Sequence, residues 1–241
     1  MQFEYFQLPE AGETFGPYIL EEVLSGSILG NFYRARHRTR DEAVLLHVIP
    51  QALNRSDRAF ADHYRKIIRE QESLTTTGKL PIRETQEVSG HFLVAYEGGA
   101  FRSLSAEIAN AGQPLALDQV TLYLETLGET LEKAAAINQG HYFLTPDFCF
   151  LDEKGGLHLA GIGLFQSIDY GAFERFVSGA VTPFQKGDLP HFGPLETLSP
   201  EIREDKRIDP RSDFYGIGIS AYFMLTGRKP GRDWQLPSQV R

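Results

Sequence analysis

The chain has 241 residues, room for one large domain or two modest lobes. Hydrophobic residues at 41%, with 17 Phe and 10 Tyr, supply a core and exclude wholesale disorder. A net charge of −8 argues against nucleic acid as a partner, and the lone cysteine, Cys149, excludes an intrachain disulfide and suits a reducing compartment.

The elements begin with strands. Tyr18-Ile19-Leu20 opens one, Ser25 to Gly30 reads as a turn of small residues, and Asn31 to Ala35 resumes the extended pattern. His37 to Asp41 reads as a hairpin loop, and Ala43 to Ile49 as an apolar strand stopped by Pro50. Between Arg58 and Leu74 the apolar residues Phe60, Tyr64, Ile67, Ile68 and Leu74 recur at helical spacing. Strands are expected at 82–88 and 91–96 around Ser89-Gly90, followed by a hinge at Gly98-Gly99.

Beyond the hinge the pattern is more helical. Leu117 to Asn138 is amphipathic, with Val120, Leu124, Leu127, Leu131 and Ala135 on one face. Short strands are expected at 148–151 and 157–160. Residues 164–198 show no clear period and read as a long loop with local structure. Asp213 to Leu225 is apolar all round and reads as a buried helix. The expected class is α+β in two lobes: a β-rich N-lobe over about 12–97, a hinge at about 97–100, and a helical C-lobe over 101–241. The N-terminus carries Glu4 and Glu10 without a basic run, and the longest apolar stretch, 216–225, is too short for a bilayer. A soluble, cytoplasmic chain is expected, with no membrane segment within it.

Three blocks in order resemble the protein-kinase domain, and are most similar to the bacterial Ser/Thr type. Ser199-Pro200-Glu201, then Asp209 to Gly218, then Leu225-Thr226-Gly227-Arg228-Lys229-Pro230 resemble the family's Ala-Pro-Glu motif, its Ser-Asp-x-Tyr-Ser-x-Gly helix and its Thr-Gly-x-x-Pro end. Pro17-Tyr18 through Tyr33-Arg34-Ala35-Arg36-His37 resembles the strands around the glycine-rich loop. The ungapped run from His141 to Gly163 matches the catalytic and metal-binding loops in length. The family's last helices would follow Pro230, so the C-lobe is expected to be incomplete and the chain to be cut from a longer protein.

Phosphoryl transfer in that family needs a phosphate-binding lysine, two metal ligands and a catalytic aspartate. The resemblance places the lysine at His47, the aspartate at Phe143, the metal-binding asparagine at Phe148 and the metal-binding aspartate at Gly161. Only the last of three loop glycines, Gly30, is kept. A neighbour is a poor substitute: Asp147 in an extended stretch points away from Phe148, Asp152 sits at a hairpin turn, and a histidine of pKa about 6.5 is mostly neutral. Leu45 and Phe150 fall on the two faces of the adenine slot and are expected to fill it.

The resemblance implies structural roles for the remaining positions. His141 stacks with Ile162 and Leu74 between the lobes, Glu70 stands at the place of the lysine's partner, and Asp213 accepts from the backbone near His141. Glu201 has lost a partner further along and is exposed or served by another residue. The histidines show no metal spacing, and Cys149 reads as a small hydrophobe.

The expected function is a catalytically inactive pseudokinase domain, an interaction, scaffolding or regulatory module with an unidentified protein partner and no cofactor. The alternatives are a nucleotide sensor without turnover and an atypical transferase using the same cleft. Pro194 in Gly193-Pro194-Leu195 stands where a threonine would touch the catalytic aspartate. Residues 165–192, with Phe165, Tyr170, Phe173, Phe176, Phe184 and Phe192, are expected to fold over the cleft or to offer aromatic contacts to a partner, the alternative being a mobile loop whose aromatic residues pack locally.

Overall fold

The structure, a computed structural model, describes residues 7–98, 100–180, 198–205, 207–230 and 234–240. Strands β1 (Thr14–Phe15), β2 (Tyr18–Ser27), β3 (Gly30–His37), β4 (Ala43–Ile49), β5 (Ile82–Val88) and β6 (His91–Glu97) form one antiparallel sheet in the order β1-β2-β3-β4-β6-β5. Both of its faces are buried, which is why β4 reads as a nearly continuous apolar run. The outer face packs Tyr33, Leu46 and Val48 under the N-terminal segment, where the Tyr33 hydroxyl donates to the Pro9 carbonyl at 2.7 Å. The inner face carries Phe32, Leu45, Val94 and Tyr96 toward the helical half.

Helices α1 (Gln51–Ser56) and α2 (Phe60–Glu70) follow β4, and a 3-10 turn at Gln71–Ser73 extends α2. The chain then leaves the sheet at Gly98, where a Cβ would lie 1.7 Å from the Ala43 carbonyl oxygen, so only glycine passes. Gly99, the other half of the expected hinge, lies outside the described residues. A three-stranded sheet, β7 (Arg102–Ser103), β8 (Cys149–Leu151) and β9 (Leu157–Leu159), forms the floor of the second half. Helices α3 (Leu104–Ala111), α4 (Leu117–Ala135), α5 (Tyr170–Ala180), α6 (Pro200–Asp205), α7 (Ser212–Thr226) and α8 (Pro237–Val240) complete it.

Several expectations are corrected. Ser25 to Gly30 is not a loose turn: Ser25 pairs with Phe32, Gly26 with Asn31 and Ser27 with Gly30, leaving only Ile28 and Leu29 at the tip. The short helices α1 and α3 gave no periodic signal. The long helix ends at Ala135, three residues before Asn138. Within the long loop of 164–198, the local structure includes a helix over 170–180, because its aromatic residues find a docking surface. The apolar helix α7 is not buried all round: Phe214 is 70% exposed and Tyr215 is partly exposed. Among the described residues no helix is long and apolar enough to cross a membrane.

Candidate functional site

The site is assembled from strand register. In the β3–β4 ladder Phe32 lies directly opposite His47, so both side chains leave the same face of the sheet. Their rings stack with centroids 4.0 Å apart and planes 12° apart. His47 is fully buried, and neither ring nitrogen makes a hydrogen bond; the Leu29 backbone lies beside it outside bonding geometry. Burial pushes its pKa from 6.5 down to about 3, so the imidazole is neutral and gives no cation for a phosphate.

From the other lobe, a 3-10 turn at Pro146–Phe148 swings the Phe148 ring inward. The Thr145 hydroxyl caps this turn by accepting from the Asp147 N–H at 3.3 Å. Phe148 meets Phe32, His47 and His141 edge-on, at centroid distances of 5.4, 6.1 and 4.7 Å. Gly161 follows β9 with φ 78°, and its N–H donates to the Tyr96 hydroxyl at 3.1 Å. Asp147 is therefore in a turn rather than extended chain, and is buried beside the cluster. Phe143 touches Phe148 edge-on at 6.3 Å and stacks on Phe165 at 5.5 Å.

The structure thus brings His47, Phe143, Phe148 and Gly161 into one aromatic cluster between the lobes. Leu45 and Phe150 are both buried in the same core, with Phe150 4.9 Å from Phe32. Phe32 is the residue that reading motif by motif passed over. Its signal was available: counting back along two strands from the hairpin at His37 to Asp41 sets it opposite His47.

Further contacts close the cleft. The Ser25 hydroxyl donates to the Asp147 carbonyl at 2.7 Å, tying the loop strand to the opposite lobe. Arg34 bridges the front by donating to the Phe101 carbonyl at 3.2 Å while pairing with Glu22. At the other side the Asp57 carboxylate accepts from the Asp169 N–H at 2.8 Å, which anchors the start of α5 against α1. Phe173 on α5 then packs edge-on against Phe143 and Phe165, at 6.0 and 5.1 Å. Phe165, Tyr170, Phe173 and Phe176 thus belong to the core over the cleft, whereas Phe184, Phe192, Gly193 and Pro194 lie outside the described residues.

The supporting residues are placed as follows. His141 Nε2 lies 3.1 Å from the Ala160 carbonyl, and burial holds its pKa at about 3. Ile162 and Leu74 share its core, but the side chain that reaches Ile162 is Gln71, which donates to the Ile162 carbonyl at 2.9 Å. Glu70, one residue earlier on the helix, is exposed; its carboxylate accepts from the Gln139 side-chain amide at 3.5 Å rather than meeting His47. Asp213 accepts from the N–H groups of His141 and Tyr142 at 3.0 and 2.5 Å, holding Tyr142 at φ 58°. Glu201 accepts from the Ser212 hydroxyl at 2.6 Å. Asp152 is occupied within its own hairpin by the N–H groups of Lys154 and Gly156, and by His158.

A magnesium nucleotide does not fit these residues. Rings and a glycine stand at the positions to which the kinase resemblance assigns metal-binding oxygens, and Phe32, Leu45 and Phe150 are buried together between the lobes. Among the described residues no group of three His, Cys, Asp or Glu side chains could hold a metal. The Cys149 thiol is buried and its pKa pushed up, so it is no nucleophile.

No family model matches the chain. It is 26% identical over 216 residues to serine/threonine-protein kinase PknL of Mycobacterium bovis, covering 88% of this chain and 50% of that protein. It is 30% identical over 129 residues to serine/threonine-protein kinase Pkn1 of Myxococcus xanthus, covering 54% of this chain and 18% of that one. The chain thus spans half or less of the length of these curated relatives. Among solved structures it is similar to the kinase domain of PknI from Mycobacterium tuberculosis, with a TM-score of 0.66 at 18% identity, covering 95% of this chain and 81% of that one.

Proposed function

We propose that this chain, which is a protein kinase-like domain of the bacterial Ser/Thr type, acts in the cytoplasm as a non-catalytic module that works by binding another protein. One observation carries the reading: His47, Phe143, Phe148 and Gly161, the residues at which the kinase resemblance sets the groups for phosphoryl transfer, pack together as core. Positioning and electrostatics do nearly all the work in that chemistry, so a neutral imidazole, two phenyl rings and a glycine leave nothing to stabilise a transferring phosphoryl group. The relatives are named kinases, so activity is the property to test directly. Thermal unfolding with ATP, with and without magnesium or manganese, is expected to be unchanged. Incubation with radiolabelled ATP and a general acceptor protein is expected to transfer no label. A metal-dependent rise in melting temperature without transfer would replace the reading with a nucleotide sensor, and transfer would replace it with an atypical transferase.

A further inference from the structure

Outside the filled cleft, an open cleft of about 570 Å³ lies between α2 and the first half of β5. Its floor is apolar, from Ile68, Leu74 and Ile82. Its charged lining is Arg65, Arg69, Lys79 and Arg83 against Glu72 and Glu84. Half of these charges are committed elsewhere. Arg65 pairs with Asp62 and Glu87, Arg83 with Glu42, and Glu84 with Arg40 and the Tyr18 hydroxyl. Two cations are not: Arg69 has no ion pair among the described residues, and Lys79 donates only to the Gln71 carbonyl, at 2.9 Å. Lys79 is half-buried, and burial lowers its pKa, the mark of an ammonium lacking a counter-charge. Among the described residues, Glu72 is the one lining acid without an ion pair.

The other wall matters as much. β5 is the outer strand of the six-stranded sheet, so alternate backbone N–H and C=O groups along it face away from β6. An outer strand beside an apolar floor and two unpaired cations has the chemistry to take an extended chain by strand addition, with backbone bonds giving affinity and side chains giving selectivity.

We propose that this cleft docks an extended acidic segment of a partner protein, added along the edge of β5 with its carboxylates on Lys79 and Arg69. The site uses none of His47, Phe143, Phe148 and Gly161 and stands whether or not the filled cleft binds nucleotide, so its failure would leave the non-catalytic reading untouched. The probe is a fluorescein-labelled peptide alternating valine with aspartate or glutamate, titrated into the full chain. Comparison peptides replace the acids by Asn and Gln, or N-methylate alternate residues. Saturable binding of the acidic peptide is expected, weakened about tenfold or more in Lys79→Met and in Arg69→Gln, and weakened similarly by neutralising or N-methylating the peptide. Arg69 is exposed on α2, so its replacement keeps the fold readable by circular dichroism. No saturation up to about 1 mM, equal binding of the neutral peptide, or unchanged affinity in both variants would overturn the proposal. Displacement of the peptide by millimolar inorganic phosphate alone would reduce the site to one for small anions and overturn it as well.

Discussion

The Phe148 ring lies where any side chain at Gly161 would have to begin: a Cβ there would sit 2.8 Å from Phe148 Cδ1 and 3.0 Å from Cε1. By the kinase resemblance these are the two metal-ligand positions. The loss of one ligand to glycine makes room for the ring that replaces the other. The two departures are one packing arrangement.

Gly161→Ala is therefore expected to destabilise the chain by about 2–5 kcal/mol, from overpacking plus the cost of a side chain at positive φ. In a Phe148→Ala background the clash disappears and only the backbone cost remains. A double-mutant cycle by urea unfolding should give a coupling of at least about 1 kcal/mol. Additivity would show that the ring does not own that space.

Acid should destabilise the fold through the two cleft histidines. His47 and His141 have folded pKa values of about 3 against 6.5, so the unfolded chain takes up protons that the folded chain refuses. Stability is full above the unfolded value and is lost as pH falls toward 3, on the order of 2 kcal/mol for each histidine between about pH 7 and 5. Asp213 works the other way, because burial raises its pKa from 3.8 to about 6 and the folded chain holds a proton that the unfolded chain has released. That returns only on the order of 1 kcal/mol over the same interval, so the histidines win. His47→Leu should remove about half of the histidine contribution to the acid loss. An unchanged pH slope in that variant would contradict a buried neutral imidazole.

Asp213→Ala should cost about 2–4 kcal/mol, since it strips the His141 and Tyr142 N–H groups of their acceptor and frees Tyr142 from its left-handed conformation. Denaturant melts measure it. A loss below about 0.5 kcal/mol would mean that another acceptor, such as water, reaches those groups.

Phe173 joins α5 to Phe143 and Phe165, so Phe173→Ala is expected to cost about 3–5 kcal/mol locally and to release the helix from the cleft. Limited proteolysis should then cut within Tyr170–Ala180 faster than in the parent chain. Equal cutting rates would mean that the helix is held chiefly by the Asp57–Asp169 anchor.

Local signals carried much of this protein. The alternation and stops around Ala43–Ile49, Ile82–Val88 and His91–Glu97 were legible because strand period and turn chemistry act over a few residues. The blocks from Ser199 to Pro230 and from His141 to Gly163 pointed to the kinase-like fold, and that resemblance is what sets His47, Phe143, Phe148 and Gly161 at the family's chemical positions. Tertiary structure decided the rest. Whether Glu70 or Gln71 turns inward is a matter of helix phase, fixed by packing against Ile162 91 residues away. Residues 170–180 carry two glycines and no strong period, and they are helical because α1 and Phe143 give their aromatic face a place to bury. The filling of the cleft was only half legible. The kinase resemblance named Leu45 and Phe150, but placing Phe32 on His47 needed the register of β3 on β4, and seating Phe148 against both needed two segments about a hundred residues apart to be packed together. A one-residue slip in that register would turn Phe32 to the other face, so the closure of the site is a property of the ladder and the lobe contact rather than of any motif.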